Sequence, residues 1–518
     1  MDRLALLLRH VLRHDDVRRA RRVHARAIRR AEASDRADDL RFEKATRCTP
    51  DSGRILLARA RSVTGGEPYW SGLDLETLLS THSWITGASR TGKSVWICLV
   101  IFQLLLRGVP VLVLDLKGEL SGWLVSVVLP VLCAKLGVEA VLEKLLVVRP
   151  FGPEGCELRL TAAEAGVPRT IQALNLASAL EEALGDDLGV RMSRALLRMA
   201  SLAIELGEPL TVVRTWLSTP VAFVRAANRS QDPDTREYAR AAFPRESKPA
   251  LAAALSRIDS FLFLDEVRRA IEAPRCADLC RFEPGSCTIV DLGNPPAGAD
   301  RAQRFWAGAL TGRIVRGILS RSVTPDSPRG WWVLEEIQDG LSARQAHQLG
   351  RATALMGFKH VYCAVSHQAA SQLSAVDPNL VRSLRTNVGI ELCFRAARED
   401  ARLLAEAMPI PASLGSSRTA RGDLVRDLMQ LERRECVLWL RVLGLAPQRV
   451  RSPRLDLDAL RSQGSRFSEA VQDRIRRSHS NRQPPDDSRG HEPEEPGTGS
   501  LDLSTFLDDA DTPHPRLG

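Results

Sequence analysis

Gly87-Ala88-Ser89-Arg90-Thr91-Gly92-Lys93-Ser94 decides the fold of this chain, because it satisfies G-x-x-x-x-G-K-[ST] at every fixed position. Its surroundings are those the motif needs. Ser83-Trp84-Ile85-Thr86 reads as a short buried strand, and Val95 to Leu106 is a nearly continuous apolar run suited to a helix that starts at the loop. The glycines let the backbone curl so that its N–H groups point inward at phosphate oxygens, and the helix N-terminus adds its positive dipole end. In that setting Lys93 reaches the β- and γ-phosphates and the Ser94 hydroxyl holds Mg²⁺. A Gly/Ser turn that merely contains a lysine would lack the flanking strand and helix. The spacing predicts a nucleoside triphosphate site formed by Gly87, Ala88, Ser89, Arg90, Thr91, Gly92, Lys93 and Ser94.

A phosphate loop needs a carboxylate at the end of a buried strand to hold Mg²⁺, and usually a second to activate water. Trp331-Trp332-Val333-Leu334-Glu335-Glu336 is an apolar strand ending in two acids. Glu335 is expected to contact the metal through its water shell, and Glu336 to polarise the attacking water. The competing reading is a surface strand–helix junction whose acids sit at a helix N-terminus. Asp115 and Asp291 also terminate apolar strands, Val109 to Leu114 and Cys287 to Leu292.

These apolar runs do not alternate, as expected of parallel strands buried on both faces. Further runs at Leu145 to Val148, Val361 to Val365, Val388 to Phe394 and Cys436 to Val442 extend the series, and a β-hairpin is expected from Arg54 to Trp70 around Gly65-Gly66. Helical patterns replace strands at residues 154–283. The expected organisation is a basic helical segment at 1–47, a first part of the α/β core at 48–153, an all-α insertion at 154–283, a second part of the core at 284–460 and a polar, largely disordered tail at 461–518. In the arginine-rich opening, a solvated helix and a nucleic-acid contact both fit. In the tail, Leu501 to Asp509 is a short acidic amphipathic patch that suits either a partner-binding segment or an idle solubilising one.

Composition narrows the classes. The chain has 518 residues, too many for one core at roughly 150 per domain, with 44% hydrophobic and 26% charged residues, as in an ordinary soluble protein. A net charge of +9, mostly arginine, favours an anionic partner. Aromatics are 5%, too few for dense base-stacking platforms. The ten cysteines show no pairing pattern, and Cys276, Cys280 and Cys287 cluster without a histidine at ligand spacing, so reduced thiols are expected. The apolar run ending at Arg107 is too short to cross a membrane, and Trp123 to Leu136 is interrupted by Pro130, so no membrane span is expected.

Taken together, the motifs resemble the HerA–FtsK superfamily of hexameric ATPases, in particular its conjugative coupling-protein (TraG/TraD-like) and HerA-like branches. The likeness covers residues of about 54–450. It is carried by the His82 to Ser94 approach and loop, the acidic turn Leu114-Asp-Leu-Lys-Gly-Glu-Leu120, Val148-Arg-Pro-Phe151, Leu334-Glu-Glu-Ile-Gln338, Ser366-His-Gln368 with Gln372-Leu373, and Thr386-Asn-Val388 with Phe394-Arg395. The resemblance implies a RecA-like P-loop core of α/β class with a mostly parallel sheet, plus the α insertion and tail. It implies ATP and Mg²⁺ as cofactors, with Lys93 and Ser94 on phosphate and metal and Glu336 as catalytic carboxylate. Gln368 would sense the γ-phosphate, or else be a hydrogen-bonded strand-end amide. Arg351 would be a trans-acting arginine, or else a surface arginine of its helix, with Arg395 in reserve. Two departures stand out: Glu335 occupies the place of an aspartate, moving the carboxylate by up to ~1.5 Å, and the membrane helices that usually open coupling proteins are missing.

The expected function is a cytoplasmic, ring-forming hexamer that hydrolyses ATP to move DNA without reading its sequence. The alternative is a nucleotide-switched assembly ATPase that recruits a protein partner through the acidic tail or the insertion. A small-substrate P-loop kinase fits less well, because no acceptor-pocket pattern accompanies the large insertion.

Overall fold

The computed structural model describes residues 25–479 except 27–28, 31, 64, 153–155, 185–188, 247, 263, 410–417 and 455–456. The first part of the arginine-rich opening and the tail from 480, with its acidic patch, lie outside the described residues.

Twelve strands form one sheet: β1 (Arg47–Cys48), β2 (Ile55–Ala60), β3 (Tyr69–Leu73), β4 (His82–Thr86), β5 (Val111–Asp115), β6 (Leu145–Val148), β7 (Cys287–Asp291), β8 (Gly330–Glu335), β9 (Val361–His367), β10 (Val388–Phe394), β11 (Glu435–Leu440) and β12 (Gln448–Arg451). Their spatial order is β1-β3-β2-β12-β11-β10-β4-β9-β8-β5-β7-β6. From β10 to β6 every neighbouring pair is parallel, and from β10 outward to β1 every pair is antiparallel. The apolar runs predict the parallel part of this sheet and the resemblance its RecA-like α/β class; an antiparallel wing is grown on one side.

Non-alternating strands arise because both faces are covered, so each face takes every second residue. Trp84, Leu112, Leu114, Trp332, Leu334, Cys363 and Val365 enter one core. Ile85, Val111, Val113, Trp331, Val333, Tyr362 and Ala364 enter the other. Trp331 and Trp332 are adjacent in sequence and both fully buried, each on its own side.

The first core is roofed by the helices of residues 169–272 together with Asp300–Ser320 and Ala343–Met356. The α insertion therefore shares one continuous apolar cluster with the sheet. The helix Lys93–Leu106 fills the second core and is nearly all buried. Its Gln103 side chain bonds both the N–H and the C=O of Leu56, and Trp96 Nε1 donates to Leu57 O at 2.9 Å, so β2 finds partners across the helix.

Two expectations change. Pro130 does not interrupt its segment: Glu119–Trp123, a π-turn at Leu124–Val128 and Leu129–Leu136 follow one another without a break. Proline has no N–H to give, and the wider turn just before it absorbs the mismatch. Glu119–Leu136 is long and apolar enough to cross a membrane, but 61% of it is buried inside the fold. The tail also starts later than residue 461. Leu457–Gly464 and Ser468–His479 are helices, and their Leu460, Val471 and Ile475 are buried in the second core. The cysteines pair with no other cysteine among the described residues, and burial raises Cys276, Cys280 and Cys287 to about 11, 12 and 12.

Candidate active site

The parallel register brings the acids level. Asp115 pairs with Glu335 on one side and with Asp291 on the other, while Glu335 pairs with Ser366. All stand at the C-terminal edge of the sheet, where open α/β sheets place their ligands. Strand β4 delivers the phosphate loop to that edge, two strands from β8, and β9 lies between them.

The loop turns tightly against β10. Gly87 has φ 149°, and a Cβ there would sit 2.5 Å from Phe394 Cβ, so only glycine fits. Ala88 N–H donates to Arg395 O at 2.8 Å and Arg434 N–H donates to Thr91 O at 2.8 Å. The helix begins at Lys93, and its first N–H groups have no acceptor within the helix.

Lys93 Nζ donates to Gly87 O at 2.6 Å and lies 3.7 Å from Glu336 Oε1. Burial pulls the ammonium below its ordinary pKa, against the attraction of the two glutamates. Ser94 Oγ donates to Glu335 Oε1 at 3.1 Å, so the longer glutamate side chain still meets the serine. Glu335 Oε2 is buried and accepts no hydrogen bond from the described residues. Burial, with Asp115 and Glu336 nearby, pushes this carboxyl up to about 7, opposed by Ser366 and Lys93.

Glu336 begins the turn after β8 in the left-handed region, φ 56°. Its N–H donates to Ser366 O at 2.8 Å, and Gln338 Nε2 donates to its Oε2 at 2.6 Å. Lys117 Nζ stands 3.5 Å from Glu336 Oε2 and 3.5 Å from Asp339. Lys117 was legible only as part of the Asp115-Leu-Lys-Gly-Glu119 turn, with nothing to pair it with a strand end more than two hundred residues later. Arg434 gave no signal at all.

The other two acids close on the protein itself. Asp115 accepts from the N–H groups of Lys117, Gly118 and Ser121 at 2.8–3.0 Å. Asp291 pairs with Arg149 at 3.1 Å and accepts from Gly293 N–H. Gly118, φ 76°, lets this second turn pass Asp291, whose Oδ1 would lie 2.9 Å from an added Cβ.

Gln368 follows β9, which separates the loop strand from the acid strand, next to a buried His367 whose ring stands edge-on to Trp84 at 4.4 Å. Burial lowers His367 to about 3, so it is neutral. Arg351 is not gathered into this site. It is exposed on the helix Ala343–Met356, whose Ser342 and Gln345 form a capping box, and Ser342 also bonds Glu182 of the insertion. His82, at the start of β4, bonds Thr353 O of that same helix at 2.8 Å, and its Nδ1 accepts from Cys363 N–H at 2.9 Å. Arg395 lends its carbonyl to the loop while its side chain is exposed.

Among the described residues no group of three or more His, Cys, Asp or Glu side chains is placed to hold a metal. A divalent ion at Ser94 and Glu335 would complete its shell with phosphate and water, which is how Mg²⁺ is usually bound. The unsatisfied Glu335 Oε2 and the serine beside it fit that demand.

In fold, the chain is similar to the bacterial conjugative coupling protein TrwBdeltaN70 in its unbound monoclinic form, with TM-score 0.53 and 15% identity over 80% of this chain and 91% of that one. The chain shares its fold with TrwB. A second TrwB structure, in complex with ADP and Mg²⁺, matches with TM-score 0.51 and 14% identity over the same shares of the two chains. VirB4 of Thermoanaerobacter pseudethanolicus matches with TM-score 0.54 and 14% identity over 80% of this chain and 99% of that one. No protein-family model and no curated protein matches the sequence.

Proposed function

We propose that the chain is a Mg²⁺-dependent P-loop ATPase of the conjugative coupling-protein and VirB4 kind, working as a ring that moves DNA. One observation carries the nucleotide reading: Lys93 and Ser94 of the phosphate loop stand 3.7 Å and 3.1 Å from Glu336 and Glu335 at the sheet's C-terminal edge. Residues 87–94 would cradle the phosphates, Ser94 and Glu335 would hold the metal, and Glu336 would take the proton of the attacking water. Mg²⁺ would neutralise charge on the phosphoryl oxygens. Gln368 would meet the γ-phosphate. Arg351, exposed and without a contact to its own loop among the described residues, would act on the nucleotide of a neighbouring copy, where an arginine offsets transition-state charge. The fold shared with TrwB, one of whose structures holds ADP and Mg²⁺, supports the same cofactors here. The basic net charge supports an anionic polymer as the moved partner.

The test is an ATPase assay titrated with DNA at several salt concentrations, beside electron microscopy of the protein with Mg·ATP. A translocase shows rings and turnover that rises with DNA and falls steeply with salt. Turnover indifferent to DNA, in a protein that stays monomeric, overturns the reading. One observation favours the alternative of a slow nucleotide switch: the metal-side acid is a buried glutamate, one methylene longer than the aspartate the resemblance implies. A switch would bind ATP tightly, hydrolyse it rarely and exchange partners on hydrolysis.

A further inference from the structure

The Glu336 side chain is only 6% exposed, and three groups share it: Lys93 at 3.7 Å, Lys117 at 3.5 Å and the Gln338 amide at 2.6 Å. Two of the three are cations, and they come from different elements. Lys93 belongs to the phosphate loop. Lys117 stands on the turn after β5, which Asp115 fixes by accepting the N–H groups of Lys117, Gly118 and Ser121. Leu116 N–H donates to Glu335 O at 3.4 Å and ties that turn to the strand of the acids. Asp115 thereby presents a lysine to a site in which it takes no part itself.

The two lysines cannot both stay with Glu336. Lys93 Nζ donates to Gly87 O at 2.6 Å and faces Glu336. To meet a phosphate it must turn away from the carboxylate. Glu336 then keeps one amide and one cation, and a buried carboxylate that loses its counter-charge is strongly disfavoured. The remaining lysine therefore decides how easily Lys93 is released. Lys117 suits that part, because it lies outside the loop and Asp339, from the same turn as Glu336, holds it at 3.5 Å from the other side.

We propose that Lys117 is a positioning residue that takes over the charge of Glu336 when Lys93 moves to the phosphates of a bound nucleotide. It acts through Glu336 and not on the nucleotide. The proposal rests on the reading of residues 87–94 as a phosphate loop.

Titration calorimetry of Mg·ADP and of a non-hydrolysable ATP analogue tests it on Lys117→Met, Lys117→Arg, Glu336→Gln, the double variant of Lys117→Met with Glu336→Gln, and Lys93→Ala. Melting temperatures are measured without nucleotide. Lys117→Met should melt close to the parent, because Lys93 still neutralises Glu336, yet bind both nucleotides about tenfold more weakly. The loss is smaller than for a fully buried pair because the Lys117 side chain is 37% exposed. Lys117→Arg should recover most of the affinity. The double variant should bind within about twofold of Glu336→Gln alone, since no carboxylate is left to pair. Lys117→Met binding within about twofold of the parent overturns the proposal, as does a loss that Lys117→Arg does not partly restore. A tenfold loss that persists in the Glu336→Gln background overturns it too, because Lys117 would then act on the nucleotide or on the turn itself. Full nucleotide affinity in Lys93→Ala would instead sink the phosphate-loop reading, whatever the Lys117 variants do.

Discussion

Three neighbouring strands, β8, β5 and β7, end in acids at one level of the sheet, yet the acids live differently. Asp115 is saturated by three backbone N–H groups and Asp291 by Arg149 and a backbone N–H. At the end of β8, Glu335 keeps one buried oxygen without a donor, and Glu336 is shared between two lysines and an amide. A carboxylate that the protein has already satisfied shapes a turn. One left open beside a phosphate loop is available for chemistry. The difference separates structure from site where composition could not.

The sharpest test of this contrast is Lys93→Ala, which should abolish nucleotide binding and cut turnover by more than about 10³-fold, because no other cation can replace the loop lysine on the phosphates. Calorimetry and an ATPase assay decide it. Next, Glu336→Gln should bind nucleotide as the parent does while turnover falls about 10²- to 10⁴-fold, the scale of a lost general base. Unchanged turnover would move the catalytic role to another acid. Asp115→Ala should do the opposite of these two. It strands three backbone donors, so urea unfolding should show a loss of about 3 kcal/mol, with nucleotide affinity kept in the folded fraction. Glu335→Gln should cost less than about 1 kcal/mol of stability, since its carboxyl is already raised to about 7 by burial, yet it should remove the Mg²⁺ dependence of binding.

The smallest effect concerns Glu182, where the insertion meets the capped end of the Arg351 helix. Burial raises its carboxyl from 4.5 to about 7, against the pull of Ser342 and Arg344. A raised folded-state pKa means that the protonated form favours folding. That contribution is complete below about 4.5 and is lost as pH rises through about 7. Glu182→Gln should flatten that stretch of the stability–pH profile, measured by chemical unfolding at intervals of pH. A profile parallel to the parent's would place the titration elsewhere.

Much of this was legible in the chain. The phosphate loop and its flanks are local, and β6, β7, β8 and β10 lie within a residue or so of their apolar runs, because a strand buried on both faces has no polar interruptions to blur it. The pairing of Ser94 with Glu335 followed from motif chemistry, since a metal needs both. What the chain could not reveal was satisfaction. Asp115, Asp291 and Glu335 look alike in sequence, and only the turn of Lys117, Gly118 and Ser121 distinguishes the first. Arg434 and Lys117 reach the site from distant segments, and no periodicity announces them. The stretch around Pro130 was misjudged because proline breaks helices in isolation, whereas a π-turn inside a packed core accommodates it. The two C-terminal helices were hidden by polar composition, their few apolar residues being spent on a core already formed.

His82 has a consequence of its own. Its Nδ1 accepts from the Cys363 N–H, so the ring's single hydrogen must sit on Nε2, where it reaches Thr353 O, 271 residues away in the chain. Burial keeps the imidazole neutral by lowering its pKa. One tautomer thus rivets the root of the phosphate loop to the helix that displays Arg351. In acid, a second hydrogen on Nδ1 would face the Cys363 N–H head-on, so the ring would let go of β9 while keeping its hold on Thr353.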